Sequence, residues 1–259
     1  MKIITINVNG IRSAASKGLF EWLVSESADM VCVQETKSQE HQLGEIINKL
    51  QGYHPYFFDA QKKGYSGVAL FLKQVPHKLH YGLGWDCADQ EGRYIQADYE
   101  NFSIASLYMP SGSSGEERQA KKFEFLKNYT LYLKKLRDEG KEIIIAGDWN
   151  IAHKAIDLKN WRSNQKNSGF LPEERAWMDE VLGPLGFIDA FRLINSAPEE
   201  YTWWSNRGQA WQKNVGWRID YQIITPGLKE YVQAAQIYKE QRFSDHAPLI
   251  INYGKLIVK

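Results

Sequence analysis

Ile143-Ile144-Ile145-Ala146-Gly147-Asp148-Trp149-Asn150 is an apolar run that stops on a carboxylate. Its first residues read as a buried strand. Gly147, at its end, is expected to let the backbone come close to a ligand. Three distant segments share the pattern. Residues 30–33 are followed by Gln34-Glu35, Asp220 precedes residues 221–224, and Ser244-Asp245-His246 precedes residues 247–250. Carboxylates that follow some strands and precede others can meet at one edge if the sheet is mixed. The meeting point would hold four acids, one histidine and several asparagines. Such a site suits a hard metal ion and a phosphate ester.

Working outward, strands are expected at 3–8, 65–72, 93–99 and 102–108, the last two joined by a turn at Glu100-Asn101. Short helices are expected at 20–27 and 42–50. The strongest helix runs over 116–139, with Phe123, Leu126, Tyr129, Leu133 and Leu136 as one stripe, Ser113 or Ser114 as its cap and Gly140 as its stop. A helix started by proline follows at Pro172–Leu182. The last third adds strands near 201–204, 219–224, 235–238 and 249–253. Hairpins mixed with helices imply an α/β protein with mixed sheets and helices packed outside. Acids at strand ends in both halves imply two stacked sheets sharing one edge. No repeat, low-complexity tract or linker divides the 259 residues, so a single domain over 1–259 is expected.

Composition excludes some classes. With 43% hydrophobic residues a large core can form, yet no apolar stretch reaches membrane-spanning length. Met1-Lys2 leads straight into a strand, and Cys32 lies in an apolar run as a reduced core thiol, so a cytoplasmic protein is expected. The net charge is +1, so any nucleic-acid surface must be local. Residues 153–167 carry Lys154, Lys159, Arg162 and Lys166 against the single acid Asp157. Residues 202–219 carry Arg207, Lys213 and Arg218 without an acid, and four of the nine tryptophans: Trp203, Trp204, Trp211 and Trp217. Cations interleaved with aromatics suit phosphates and sugars or bases. The alternative is a loop whose tryptophans fold into the core.

The acids differ in what they imply. Asp148 and Asn150, two residues apart at a strand end, can orient and deprotonate a water; an Asx turn is the other reading. Asp245 can bind a cation while His246 faces a phosphoryl oxygen, with Asp220 as the partner that fixes the imidazole. Glu35 closes an apolar strand, where a carboxylate needs a cation, either a metal or Lys37. Asn7 and Asn9 add neutral oxygens. These hard donors suit Mg²⁺ or Mn²⁺, not zinc. Ser111-Gly112-Ser113-Ser114-Gly115 lacks the lysine of a P-loop, and no Gly-x-Ser-x-Gly elbow occurs.

Seven motifs in order complete the pattern: Asn7-Val8-Asn9-Gly10-Ile11-Arg12, Val33-Gln34-Glu35-Thr36-Lys37, Gly64-Tyr65-Ser66-Gly67, Gly147-Asp148-Trp149-Asn150-Ile151-Ala152, Asn164-Gln165-Lys166-Asn167-Ser168-Gly169, Val215-Gly216-Trp217-Arg218-Ile219-Asp220-Tyr221 and Ser244-Asp245-His246. Over nearly the whole chain the sequence resembles the exonuclease III family of apurinic/apyrimidinic endonucleases, within the wider superfamily of Mg²⁺-dependent phosphoesterases. The resemblance implies a four-layer α/β sandwich and a monomeric enzyme that cuts duplex DNA 5′ to abasic sites, leaving a 3′-hydroxyl. It also implies processing of blocked 3′ ends or 3′→5′ exonuclease action. Glu35, Asp245 and Asn9 would hold Mg²⁺, with Mn²⁺ as a substitute. Asp148, Asn150, His246, Asp220, Tyr108 and Asn7 would form the catalytic group. Asn164, Asn167, Lys37, Tyr65, Arg12, Lys159, Arg162 and Arg207 would contact DNA, and Phe170, Trp203 and Trp217 would line a pocket for a baseless sugar. Asn9 stands where some members carry Asp, Arg207 where relatives often have an apolar wedge, and Ser111 where they often have an amide. Two rival readings are a phosphoesterase of the same fold acting on lipid or inositol phosphates and a silent DNA-binding protein. The Trp- and Arg-rich segment opposes the first, and the full set of acids with His246 opposes the second.

Overall fold

Alternation along the central strands decides how the layers stack. In the computed structural model, which describes residues 1–254, there are fourteen strands among the described residues. They are β1 (Lys2–Asn7), β2 (Met30–Gln34), β3 (His54–Phe58), β4 (Val68–Leu72), β5 (Lys78–Tyr81), β6 (Tyr94–Asp98), β7 (Ser103–Tyr108), β8 (Ile143–Asp148), β9 (Ile188–Asp189), β10 (Trp203–Trp204), β11 (Gly216–Trp217), β12 (Asp220–Ile224), β13 (Val232–Ile237) and β14 (Leu249–Tyr253). Two six-stranded sheets form, in the orders β13-β14-β1-β2-β4-β3 and β5-β6-β7-β8-β12-β9. Both are mixed. β1 runs parallel to β2 and antiparallel to β14, while β8 runs parallel to β7 and antiparallel to β12.

Period-2 side chains sort into layers. Ile3, Cys32, Leu70, Ile104, Ile144 and Ile251 pack between the sheets. Ile4, Ile6, Val31 and Val33 face outward, under the helices Ile11–Ser16 and Leu19–Glu26. Ile143, Ile145, Tyr221 and Ile223 face the opposite way, under the helices Glu116–Asp138 and Pro172–Leu182. The result is the expected four-layer α/β sandwich. The layer between the sheets also carries polar groups, with Gln34 Nε2 donating to Ser106 Oγ at 2.9 Å.

Several local expectations change. Strands β3 and β5 lie at sheet edges; β5 has both ends exposed and β3 is partly buried on both faces, so neither has the alternation that marks a half-buried strand. Pro55 inside β3 is tolerated because an edge strand has a face without a ladder partner. β4 starts only at Val68, because Ser66 and Gly67 take φ of 45° and 87° and turn the chain. Neither Ser113 nor Ser114 caps the long helix; Gly115 is its N-cap, without a side-chain hydrogen bond. Phe125, not Phe123, lies fully in its buried stripe. Gly147 serves the sheet and not a ligand: a Cβ there would lie 1.9 Å from the Leu107 carbonyl oxygen.

Candidate active site

Strand register assembles the site. In the second sheet Asp148 ends β8, with Asp220 as its antiparallel partner and Tyr108 as its parallel partner. In the first sheet Asn7 ends β1 opposite Gln34, and Glu35 follows at once. The Asn7 amide joins the sheets, since its Nδ2 donates to Glu35 Oε1 at 2.8 Å and to Asp148 Oδ2 at 2.9 Å. Its Oδ1 accepts the Asn9 backbone N–H at 2.9 Å, so the same side chain also holds the turn that carries Asn9. Asn150 returns to Asp148 through its backbone N–H, 2.8 Å from Oδ1, and donates its side-chain amide to the Met109 carbonyl. His246 Nδ1 donates to Asp220 Oδ2 at 2.9 Å, which leaves Nε2 facing Asp148 Oδ2 at 3.9 Å. Asn9, Glu35, Lys37 and Asn150 all adopt positive φ, between 44° and 53°. Such backbone strain collects where surrounding structure holds a functional geometry.

The surroundings set the charges. Burial, then the neighbouring Asp220, pushes Asp148 up to about 7. Burial works against a charged His246, but Asp220, Asp148 and Asp245 outweigh it and raise the imidazole to about 10. Burial would also raise Glu35; Lys37, Asn7 and His246 overcome it and hold this carboxylate below its usual range. Asp245 is lowered in the same way, against its burial, by His246, Asn9, Trp203 and Ser244. Tyr108 is pushed well above the phenol range by burial and by Glu35, so it stays a hydrogen-bond donor.

Glu35, Asp148 and His246 bring atoms within 4.8 Å of one another that could ligate a metal, a group that omits Asp245 and that a protonated His246 would join only as a neighbour. Lys37 Nζ lies 2.8 Å from Glu35 Oε2 and also donates to Asn9 Oδ1. Asn9 Nδ2 in turn donates to Asp245 Oδ1 at 2.9 Å. Glu35 is therefore paired with Lys37 and at the same time belongs to the acidic centre. Ionised carboxylates with an amide oxygen are hard donors and fit a divalent cation.

Beside this group opens a cavity of about 650 Å³, lined by Tyr108, Asn167, Leu171, Trp203, Trp217 and Ile219 together with the acids. Trp203 also donates its Nε1–H to Asp245 Oδ2 at 3.1 Å. Phe170 is not a lining residue, contrary to expectation. It is fully buried behind Trp217, with ring centroids 6.4 Å apart, and Arg175 stacks on it. Asn164 stands one step behind Asn167, accepting from its amide at 2.7 Å. Arg12, Arg162 and Arg207 are exposed outside the cavity. Tyr65 also lies outside it, and its hydroxyl accepts from Arg93 and Arg118. Three cations of the basic segments are not free. Lys154 pairs with Asp179, Lys159 pairs with Glu199, and Arg218 is buried between Asp157 and Asp189 at 2.8 Å from each. The tryptophans divide between the two readings of their segment: Trp204 enters the core, while Trp203 and Trp217 line the cavity.

Residues 4–246 match the model of the Endonuclease/Exonuclease/phosphatase family. An exodeoxyribonuclease of Bacillus subtilis is 41% identical over 97% of this chain and 100% of its own. The chain belongs to the exonuclease III family of apurinic/apyrimidinic endonucleases. The DNA repair nuclease APEX1 of Danio rerio is 37% identical over 97% of this chain and 81% of its own. The structure of an AP endonuclease from Archaeoglobus fulgidus superposes with a TM-score of 0.87 at 29% identity, covering 98% of this chain and 99% of that one. As a member of the exonuclease III family the protein is a hydrolytic nuclease. Reading the sequence alone missed Leu171 and Ile219 in the cavity wall and the buried pair Lys122–Glu174 behind it. Lys122 left a trace, since a cation at helical spacing from Leu126 and Tyr129 interrupts an apolar stripe.

Proposed function

We propose that this nuclease incises duplex DNA at the phosphodiester 5′ to an abasic site, leaving a 3′-hydroxyl. The observation that carries this reading is the cavity walled by Trp203, Trp217, Leu171 and Ile219 directly against Asp148, His246 and Glu35. An apolar wall beside hydrolytic groups suits a deoxyribose without its base, and a lesion where stacking is lost is the easier place to bend or extrude the strand.

Asp148 orients the attacking water and takes its proton, for which a carboxylate raised to about 7 is well matched. Asn150 steadies that carboxylate through its backbone N–H, and Asn7 holds it against Glu35. His246, protonated at neutral pH, donates from Nε2 to a phosphoryl oxygen while Asp220 fixes the ring. Tyr108 donates to the phosphate or to the departing 3′ oxygen, and Asn167 contacts the phosphate from the cavity rim. Glu35 and Asp245, with Asn9 beside them, would hold Mg²⁺, or Mn²⁺ as a substitute, whose Lewis acidity stabilises the phosphoryl charge. Trp203 and Trp217 face the baseless sugar, with Phe170 as their support. Lys37, Tyr65, Arg12, Asn164, Arg162, Arg207 and, less strongly, Lys159 serve the DNA backbone. The same scissile geometry serves blocked 3′ ends and 3′→5′ degradation.

On this reading the enzyme is a cytoplasmic monomer whose residues 1–259 form one nuclease domain. No helix among the described residues is long and apolar enough to cross a membrane. The test is a labelled duplex carrying one abasic-site analogue, incubated with Mg²⁺ or with EDTA. One cut 5′ to the analogue, abolished by EDTA, is expected. An uncut analogue duplex alongside hydrolysis of inositol phosphates would overturn the reading.

A further inference from the structure

Behind the cavity wall lies an ion pair that takes no part in the chemistry above. Lys122 Nζ is 2.6 Å from Glu174 Oε1, and both side chains are fully buried. A buried pair of this kind is retained only where hydrogen bonds satisfy the rest of both groups. Here those bonds lead to three separate segments around the cavity. Glu174 Oε2 accepts the backbone N–H groups of Gly169 at 2.6 Å and Leu171 at 3.0 Å, and Oε1 accepts from Gln119 at 3.1 Å. Ser168 Oγ, 3.4 Å from the same oxygen, accepts the Gly112 N–H at 3.1 Å and so brings in the serine-rich loop. Lys122 Nζ donates to the carbonyl of Asn150 at 2.8 Å. Asn150 is the residue of positive φ whose backbone N–H holds Asp148 Oδ1.

We propose that Lys122 and Glu174 are positioning residues that fix the cavity wall at 167–171 against the Asp148–Asn150 turn. Neither touches substrate. The pair sets the distance between the surface that receives the nucleotide and the carboxylate that orients water. A displacement of about 1 Å between such groups can cost on the order of a hundredfold in rate. Glu174 grips the wall by its backbone, so the wall's position is set whatever side chains it carries. The pair also explains why a lysine interrupts the apolar stripe of the helix Glu116–Asp138. An apolar residue there would fill the space but leave the Asn150 carbonyl without this donor and the buried Glu174 carboxylate without its counter-charge. This proposal rests on the functional reading above for its substrate.

The test compares Lys122→Met, Lys122→Arg and Glu174→Gln on the abasic-analogue duplex at saturating Mg²⁺, well below each variant's Tm, with DNA affinity measured separately in EDTA. Lys122→Met and Glu174→Gln should lower kcat tenfold or more while the dissociation constant for DNA moves less than about threefold. Lys122→Arg, which keeps the charge and donors for the Glu174 carboxylate and the Asn150 carbonyl, should recover most of the loss. If Lys122→Met does not fold, Glu174→Gln carries the same expectation. Wild-type kcat in a folded Lys122→Met or Glu174→Gln protein would show that the pair only stabilises the fold, and so would Lys122→Arg behaving no better than Lys122→Met. The functional reading stands or falls separately on where the wild type cuts. Should the wild type spare the abasic site, the same ratios are read on 3′→5′ degradation of duplex DNA.

Discussion

Asp148 is held between two opposing influences. Burial and Asp220 favour its neutral form, while His246 and the Asn7 amide favour its charge. A group so balanced can both accept and release a proton near neutrality. Asp148→Asn keeps the shape and most hydrogen bonds but cannot take a proton. It should cut kcat by about 10²–10⁴ while DNA binding in EDTA and Tm stay near wild type; turnover close to wild type would remove Asp148 from the proton transfer. Trp217 carries a different load. Trp217→Ala should lose packing worth about 1–3 kcal/mol toward the sugar and open space for a base, so the ratio of abasic to intact-duplex cleavage should fall. Phe170→Ala serves as the control, because a ring fully buried behind the wall should register in Tm first. An unchanged cleavage ratio in a Trp217→Ala protein that melts like wild type would take Trp217 out of the pocket.

At the scale of elements, the long helix and the central strands, buried on both faces, were legible in the sequence, and the edge strands β3 and β5 were not. Helical periodicity reports a face buried on one side only, and an unbroken apolar run reports a strand buried on both. β5 is half exposed and β3 is partly buried on both faces with Pro55 breaking its apolar run, so their residues follow neither pattern. Charge was legible in the same partial way. The segment 153–167 looks strongly basic in sequence, yet Lys159 pairs with Glu199 and Lys154 with Asp179. Arg162 stacks on Trp161 and keeps its charge toward solvent. Each phosphate contact contributes about 0.9 to the log–log salt slope of binding. Arg162→Ala should therefore reduce that slope by about one, and Lys159→Ala by clearly less. Equal losses would show that Lys159 leaves Glu199 to meet the DNA.

At the scale of the whole molecule, a buried network ties the last third to the rest. Arg218 spans Asp157 and Asp189, packs on the Tyr221 ring at 4.4 Å, and shares Asp157 with Arg192. Burial would raise Asp157, but Arg218 and Arg192 outweigh it and lower it to about 2. An unfolded Asp titrates near ~3.9. The unfolded chain therefore binds this proton first, and the network's contribution is complete above pH ~4 and fades as pH falls toward about 2. The loss amounts to about 2 kcal/mol across that window. Asp157→Asn should be less stable at neutral pH, since it leaves Arg218 short of a counter-charge, and should lose less further stability between pH 4 and 2.5 than wild type. Parallel acid-unfolding curves would assign the acid sensitivity to other carboxylates.

By itself the sequence determined the α/β class, the strands whose ends carry Asn7, Glu35, Asp148 and Asp220, and the presence of His246 beside Asp245. Those features are written locally: apolar runs, the residues that end them, and motifs a few positions long. Only the tertiary structure decided which cations remain free, which aromatic faces the cavity, and what holds the wall in place. Lys159 meets Glu199 forty residues away, and Arg218 meets Asp157 sixty-one residues away. Trp217 and Phe170 are both aromatic neighbours of one cavity, yet one lines it and the other stands behind. Lys122 reaches Glu174 from another helix. In each case the partner is chosen by how separate elements pack, and spacing along the chain carries no record of that choice.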